Sequence, residues 1–319
     1  MGSEYIGVCY GLDGTDLPTP QDVIDLCNSN NIRKMRIYKP NEDVMKPLGD
    51  SGIVLILGVP NEEIEALAKK SSDARKWVQD NVQKYIRNVN FSYIAVGNRV
   101  LPSDQAFQSV FPAMKNINDA IISLGLENRV KVSTAIDTRI LGELKLPSQA
   151  TFRDDAINYM EQIIKFLVET GAPLLANVHP YFARVNPSNK FSLDFALFTA
   201  KSPDFIYDGC LTYTNLFDFM LDGIYCAVEK LASRRLEIVV SETGWPSTGG
   251  PDANISNAKT YNTKLIRHVQ SGTPRRPKTI ETYLFAMFDE NQAPNAIDKN
   301  FGLFFTDKRP KYPGIFPLN

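Results

Sequence analysis

The chain has 319 residues, 43% of them hydrophobic, and a formal net charge of −1 from 35 basic and 36 acidic side chains. That is apolar content enough for one large core or two ordinary ones. The balanced charge, without a Lys/Arg-rich run, argues against nucleic acid or an anionic membrane surface as a partner, and no apolar stretch is long enough to cross a bilayer. The cysteines Cys9, Cys27, Cys210 and Cys226 are widely spread, with no C-x-x-C or zinc-like spacing, so no bound metal is expected. Cys9 falls in an apolar strand and Cys27 and Cys226 in helical patterns, which suits buried free thiols. Met1-Gly2-Ser3 reads as an added leader on a trimmed mature chain without a signal peptide. Asn90-Phe91-Ser92 and Asn254-Ile255-Ser256 have the N-x-S form of glycosylation acceptors.

In chain order, Tyr5 to Tyr10 predicts a first strand ending at Gly11. Thr19-Pro20 opens a helix to about Asn30, with Thr as N-cap and Pro in the first turn. Lys34 to Tyr38 is a second strand and Ile53 to Val59 a third, with a short helix of Glu42 to Lys46 between them. Asn61 caps a helix through about Lys69, and Ser72 another through Arg87. Tyr93 to Gly97 is the fourth strand, followed by a helix from about Gln105 to Leu124 that stops at Gly125. Val130 to Ala135 is the fifth strand, and a helix of about Asp154 to Thr170 ends at Gly171. Leu174 to Tyr181 is the sixth. A long stretch rich in aromatics then leads to a helix of Asn215 to Ala232.

The seventh strand is the most informative stretch. Leu236-Glu237-Ile238-Val239-Val240-Ser241 is a β-branched run that stops at Glu242, followed by Thr243-Gly244-Trp245-Pro246. A buried strand that delivers an acid to its C-terminal end is how a (β/α)8 barrel presents a catalytic group. The alternative is an acid that caps the next loop. A helix of about Ser256 to Gln270 precedes the eighth strand, Ile280 to Phe285. Eight buried strands alternating with helices, without a composition break, predict an α/β fold: one (β/α)8 TIM barrel over residues 1–319, with an open groove at the C-terminal face of the strands. No Gly-x-Gly-x-x-Gly or phosphate-cradling loop follows any strand, so no cofactor is expected.

The barrel would gather at its mouth Tyr38, Lys39, Asn61, Asn98, Arg99, Asp137, His179, Tyr181, Glu242, Trp245, Asp289 and Glu290. Aromatics beside carboxylates and amides suit a sugar, whose CH faces stack and whose hydroxyls need hydrogen-bond partners. Most aromatics after the sixth strand, from Phe182 to Tyr213, read instead as a small hydrophobic cluster under a long loop.

Ile6-Gly7-Val8-Cys9-Tyr10-Gly11, Tyr93 to Asn98, Val240 to Ser247, Gly272 to Pro277 and Asn300 to Phe304 together resemble the plant β-1,3-glucanases of glycoside hydrolase family 17. The resemblance spans nearly the whole chain. It implies a barrel with a substrate groove, retaining hydrolysis of β-1,3-glucan, an oligosaccharide partner, a monomer, a vacuolar or extracellular location, and Glu242 as nucleophile. It also implies an acid/base Glu directly after Val-Gly-Asn, where this chain has Arg99. Retaining chemistry needs two carboxyl groups about 5–5.5 Å apart, and a guanidinium stays protonated. Lys39, Gly58, His179 and Asp289 also differ from the family pattern, and the changes sum to added positive charge at the mouth.

Three readings follow. The first is a re-tooled site, strongly impaired on glucan and turned to another small-molecule ligand, an anion among the candidates. There His179 is the acid/base beside Glu242 or Asp289; its alternative is a structural imidazole. The second is a non-catalytic glucan-binding protein. The third is a weak endo-1,3-β-glucanase in which Glu290 or Glu281 supplies the proton. Tyr38, Lys39, Asn98, Tyr181, Trp245 and Glu281 are the candidate ligand-binding residues.

Overall fold

The computed structural model describes residues 4–231 and 236–318; Met1-Gly2-Ser3, expected to be an added segment, and the expected helix end at Ala232 lie outside them. Eight short, buried runs close into a parallel barrel: β1 (Ile6–Cys9), β2 (Lys34–Ile37), β3 (Val54–Val59), β4 (Asn90–Asn98), β5 (Lys131–Asp137), β6 (Leu174–Asn177), β9 (Ile238–Thr243) and β10 (Thr282–Leu284). The two remaining strands, β7 (Ile206–Asp208) and β8 (Leu211–Tyr213), form a separate antiparallel hairpin. Alternation sorts each barrel strand's side chains into two cores. Cys9, Ile56, Ala95, Ala135, Leu175, Val239 and Tyr283 fill the barrel interior, while Met35, Ile37, Val96 and Val240 face the outer helical layer.

The main outer helices are α1 (Pro20–Ser29), α2 (Glu42–Leu48), α3 (Ile64–Lys69), α4 (Ser71–Val78), α5 (Phe107–Ser123) and α6 (Ile157–Thr170). Thr19 caps α1 as expected, its side chain accepting from the Asp22 N–H, and α6 ends on Gly171 at φ 67°. Three expectations fail for local reasons. Asn61 opens a 3-10 turn rather than capping a helix, because its side-chain amide clasps the Asn98 backbone through both N–H and C=O. Ser72 lies inside α4, whose N-cap Lys70 makes no side-chain bond, and the helix widens into a π-helical segment, Gln79–Gln83, instead of continuing to Arg87. The sixth strand stops at Asn177: Pro180 lacks the N–H a ladder needs, and it begins α7 (Pro180–Val185).

After α7 come α8 (Leu193–Ala196), the hairpin, α9 (Leu216–Leu231) and α10 (Ile255–His268). The aromatics of this excursion do pack together, with Phe191, Phe195 and Tyr213 around Phe219, and Phe198 against Phe217 and Tyr261. α9 also carries a buried acid, Asp222, which accepts from the Tyr213 and Thr273 hydroxyls and the Arg275 N–H. Burial pushes its carboxyl up from 3.8 to about 7, against the pull of those donors. Because the folded value lies above the unfolded one, its stabilising contribution is complete below about 3.8 and is lost as pH rises through about 7. Thermal melts of the wild type should therefore lose stability between these limits, at about 1.4 kcal/mol per pKa unit. Asp222→Asn should flatten that slope; an unchanged slope would place its cause elsewhere.

Candidate active site

Side chains turn into the mouth where the barrel registers slip. The pairing shifts between Ala95 and Asn98, between Ala176 and Asn177, and between Thr282 and Leu284. Such irregularities re-aim side chains at a rim. Here they set Asn98 and Asn177 beside Glu242, the inward residue near the end of β9.

Glu242 is fully buried at the floor of a cavity of about 310 Å³. Its Oε1 accepts from the Tyr38 hydroxyl at 2.8 Å, Arg36 Nη1 at 3.1 Å and Asn98 Nδ2 at 3.3 Å. Among the described residues its Oε2 meets His179 Nε2 alone, at 3.3 Å. Burial alone would raise this carboxyl, but the Arg36 and Arg99 guanidiniums and the His179 hydrogen bond hold it well below the usual carboxylate range. It stays ionised, with Oε2 the freer oxygen.

Arg36 is the residue that sequence reasoning missed. It is 1% exposed in the middle of β2 and also donates to Asn98 Oδ1, Asn177 Oδ1 and the Ser241 carbonyl. Asn177 completes the network by donating to Asn98 Oδ1 at 2.8 Å. The available signal was a charged residue between Met35 and Ile37, whose own side chains face outward.

The second buried carboxyl of the cavity is Glu290, after β10. It is 7% exposed, and its Oε1 has no hydrogen-bond partner among the described residues. Burial, then the nearby Asp13, Glu242 and Asp298, push it up to about 8, with Arg99 pulling the other way. A Cβ on Gly11 would strike this carboxyl, so Gly11 is what lets it sit there.

The other sequence candidates divide. Tyr38, Lys39, Asn98 and Arg99 line the cavity with Asp13, Glu62 and Phe285. Arg99 holds a left-handed backbone at φ 56°, its N–H bound to the Ala135 carbonyl. It faces Glu242 electrostatically but makes no side-chain ion pair with it; that pairing belongs to Arg36. His179 stands behind Glu242, edge-on to Phe182, Phe285 and Phe301, with Nδ1 unpartnered among the described residues. Ionised Glu242 can only accept, so His179 Nε2 carries the proton in this contact.

Four candidates need correction. Trp245 is fully buried, its Nε1 donating to the Asp252 carbonyl and its ring packed on Tyr181 and Tyr261. Tyr181 is equally buried, so neither ring reaches the cavity. Asp289 turns away to Lys311 Nζ, 2.6 Å from each oxygen, and accepts from the Gly302 N–H. Glu281 precedes β10, at the opposite end of the barrel, bound to Lys34 and the Tyr283 hydroxyl. Arg36, Lys39 and Arg99 share the cavity lining with the acids Asp13, Glu62, Glu242 and Glu290.

Comparison with known proteins places this geometry. The profile of glycosyl hydrolases family 17 matches residues 6–314. A glucan endo-1,3-beta-glucosidase of Vitis vinifera is 50% identical over 98% of this chain and 92% of its own length. A basic vacuolar isoform from Nicotiana plumbaginifolia is 45% identical over 98% and 86%. Among solved structures, CJP38, a beta-1,3-glucanase and allergen of Cryptomeria japonica pollen, superposes with a TM-score of 0.94 at 44% identity, covering 99% of this chain and all of that one.

Proposed function

As a member of glycosyl hydrolases family 17, the chain is one for which we propose internal, retaining hydrolysis of β-1,3-glucan, with Glu242 as nucleophile and Glu290 as proton donor. The expectation of an impaired site turned to another ligand is overturned: relatives 45–50% identical over nearly the whole chain are glucan endo-1,3-beta-glucosidases. The vacuolar Nicotiana relative supports a secretory route to the vacuole or cell exterior.

One observation carries the catalytic assignment. Among the acids that line a single cavity, Glu242 and Glu290 are pushed apart in protonation by their surroundings, Glu242 ionised and Glu290 protonated. That division is what a retaining pair requires. By resemblance the family's acid/base stands at the Arg99 position. A guanidinium cannot give up a proton there; we assign the donor's role to Glu290, the cavity acid that burial keeps protonated. Glu242 Oε2 attacks the anomeric carbon, while Glu290 protonates the departing glycosidic oxygen. Glu290, now a carboxylate, then takes a proton from water, whose oxygen displaces Glu242 and restores both groups. Arg36, Tyr38 and Asn98 hold Glu242 in place for the attack.

The test is an assay of a soluble β-1,3-glucan for new reducing ends, with product lengths resolved. Internal cutting at rates ordinary for the family is expected; binding without cleavage would sink the proposal. Activity needs Glu242 ionised and Glu290 protonated. The rate should therefore hold flat through mildly acid and neutral pH and fall as pH passes about 8. An alkaline limb well below 7 would point to a different acid.

A further inference from the structure

We propose that Asn254 is an N-glycosylation site, its side-chain nitrogen carrying a mannose-type oligosaccharide on the mouth face of the barrel. The triplet Asn254-Ile255-Ser256 lies in the loop after β9, at the entrance of α10. All three residues are exposed, Ile255 by 53%, and Asn254 is extended at φ −153°, ψ 162°. The division of labour within the Asn254 amide is the decisive feature. Its Oδ1 caps α10 by accepting from the Asn257 N–H at 2.9 Å, whereas its Nδ2 has no partner among the described residues. Glycan transfer uses only the nitrogen. The helix keeps its cap when the sugar is attached, and the modification removes no hydrogen bond from the fold.

The loop is held from behind. Trp245 Nε1 and Asn257 Nδ2 both donate to the Asp252 carbonyl, and Arg184 pairs with the Asp252 carboxylate at 3.1 Å. The anchored side packs on the protein, and Asn254 faces solvent. The other triplet has a different fate. Asn90-Phe91-Ser92 is the first part of β4, where Phe91 is buried, Ser92 Oγ donates to the Leu55 carbonyl, and Val54 pairs with Asn90. Its acceptor segment becomes part of the sheet once β3 and β4 pair.

The chemistry balances with a lipid-pyrophosphate-linked oligosaccharide as donor. Asn254 Nδ2 loses one proton and bonds to the anomeric carbon, and the lipid pyrophosphate leaves with the electron pair of the broken C–O bond. The proposal rests on the secretory route above and is independent of the catalytic assignment.

To test it, the full chain is secreted from a eukaryotic host behind a cleavable leader, so that every molecule recovered from the medium has passed the transferase. Intact mass and peptide mapping are read before and after peptide-N-glycosidase. We expect one glycan's mass at Asn254, absent from Asn254→Gln and from Ser256→Ala and retained in Asn90→Gln. Enzymatic release converts Asn254 to Asp, which still caps α10, so the melting temperature should hold within about 2 °C. Secreted wild type bare at Asn254, whether or not Asn90 is modified, would overturn the proposal. So would a glycan that survives in both Asn254→Gln and Ser256→Ala.

Discussion

Glu242→Gln should reduce hydrolysis of β-1,3-glucan by on the order of 10⁴-fold or more, the scale of losing a covalent nucleophile. Gln keeps the shape and an acceptor for the Tyr38 hydroxyl, so the cavity should still admit a sugar. What disappears is the charge that attacks the anomeric carbon and balances Arg36 and Arg99. In Glu242→Ala, which vacates the carboxylate's volume, azide, small and anionic, should enter and attack in its place. With an activated aryl β-glucoside the variant should then yield an α-glycosyl azide, of anomeric configuration opposite to the normal product. A variant that keeps ordinary glucan turnover would remove Glu242 from the mechanism. The same change leaves Arg36 buried without its counter-charge, a loss of about 3–5 kcal/mol when one member of a buried pair is removed. The melting temperature should fall along with the rate, so folding at the assay temperature has to be checked by circular dichroism.

The fold was legible because its strands are buried on both faces. Runs such as Ile238-Val239-Val240 in β9 announce a parallel sheet whatever their exact ends. The site was legible only in part, because sequence adjacency near a strand end does not say which way a side chain points. Glu242 turns inward, while its neighbour Thr243 bonds the Tyr261 hydroxyl outside the barrel and Trp245 follows it there. Asp289 and Glu290 are consecutive, yet one is bound by Lys311 and the other enters the cavity. Lys311 stands 22 positions further along the chain, beyond the reach of local patterning. Arg36 was overlooked for the converse reason: it lies within a strand that reads as core, and only alternation against Met35 and Ile37 shows that it faces inward. The raised carboxyl of Glu290 depends on the surroundings that Gly11, Asp13 and Arg99 build together, and those converge only in the folded barrel.

Glu290→Gln separates proton donation from nucleophilic attack. A glucan leaving group is a poor one and needs protonation, so hydrolysis of unactivated β-1,3-glucan should fall by about 10²–10⁴-fold. A glycosyl fluoride needs little protonation on leaving, so Glu242 should still be glycosylated by it and the covalent intermediate should accumulate, visible by mass spectrometry. The variant should also lose the alkaline limb near pH 8, since the titrating group is gone. Arg99→Gln provides the complementary reading. Its guanidinium draws the Glu290 carboxyl downward, so removing it should carry the limb to higher pH. The same substitution takes away one of the charges that keep Glu242 ionised, but Arg36 remains at 3.1 Å and should keep that carboxylate charged through neutral pH. If Glu290→Gln left both glucan turnover and the alkaline limb unchanged, the proton would have to come from another group, and Glu290 would be reduced to a neutral hydrogen-bonding wall of the cavity. If instead glucan and fluoride donors lost rate equally, Glu290 would be shaping the site for Glu242 rather than delivering a proton. Only the unequal loss, with the limb removed, identifies it as the acid.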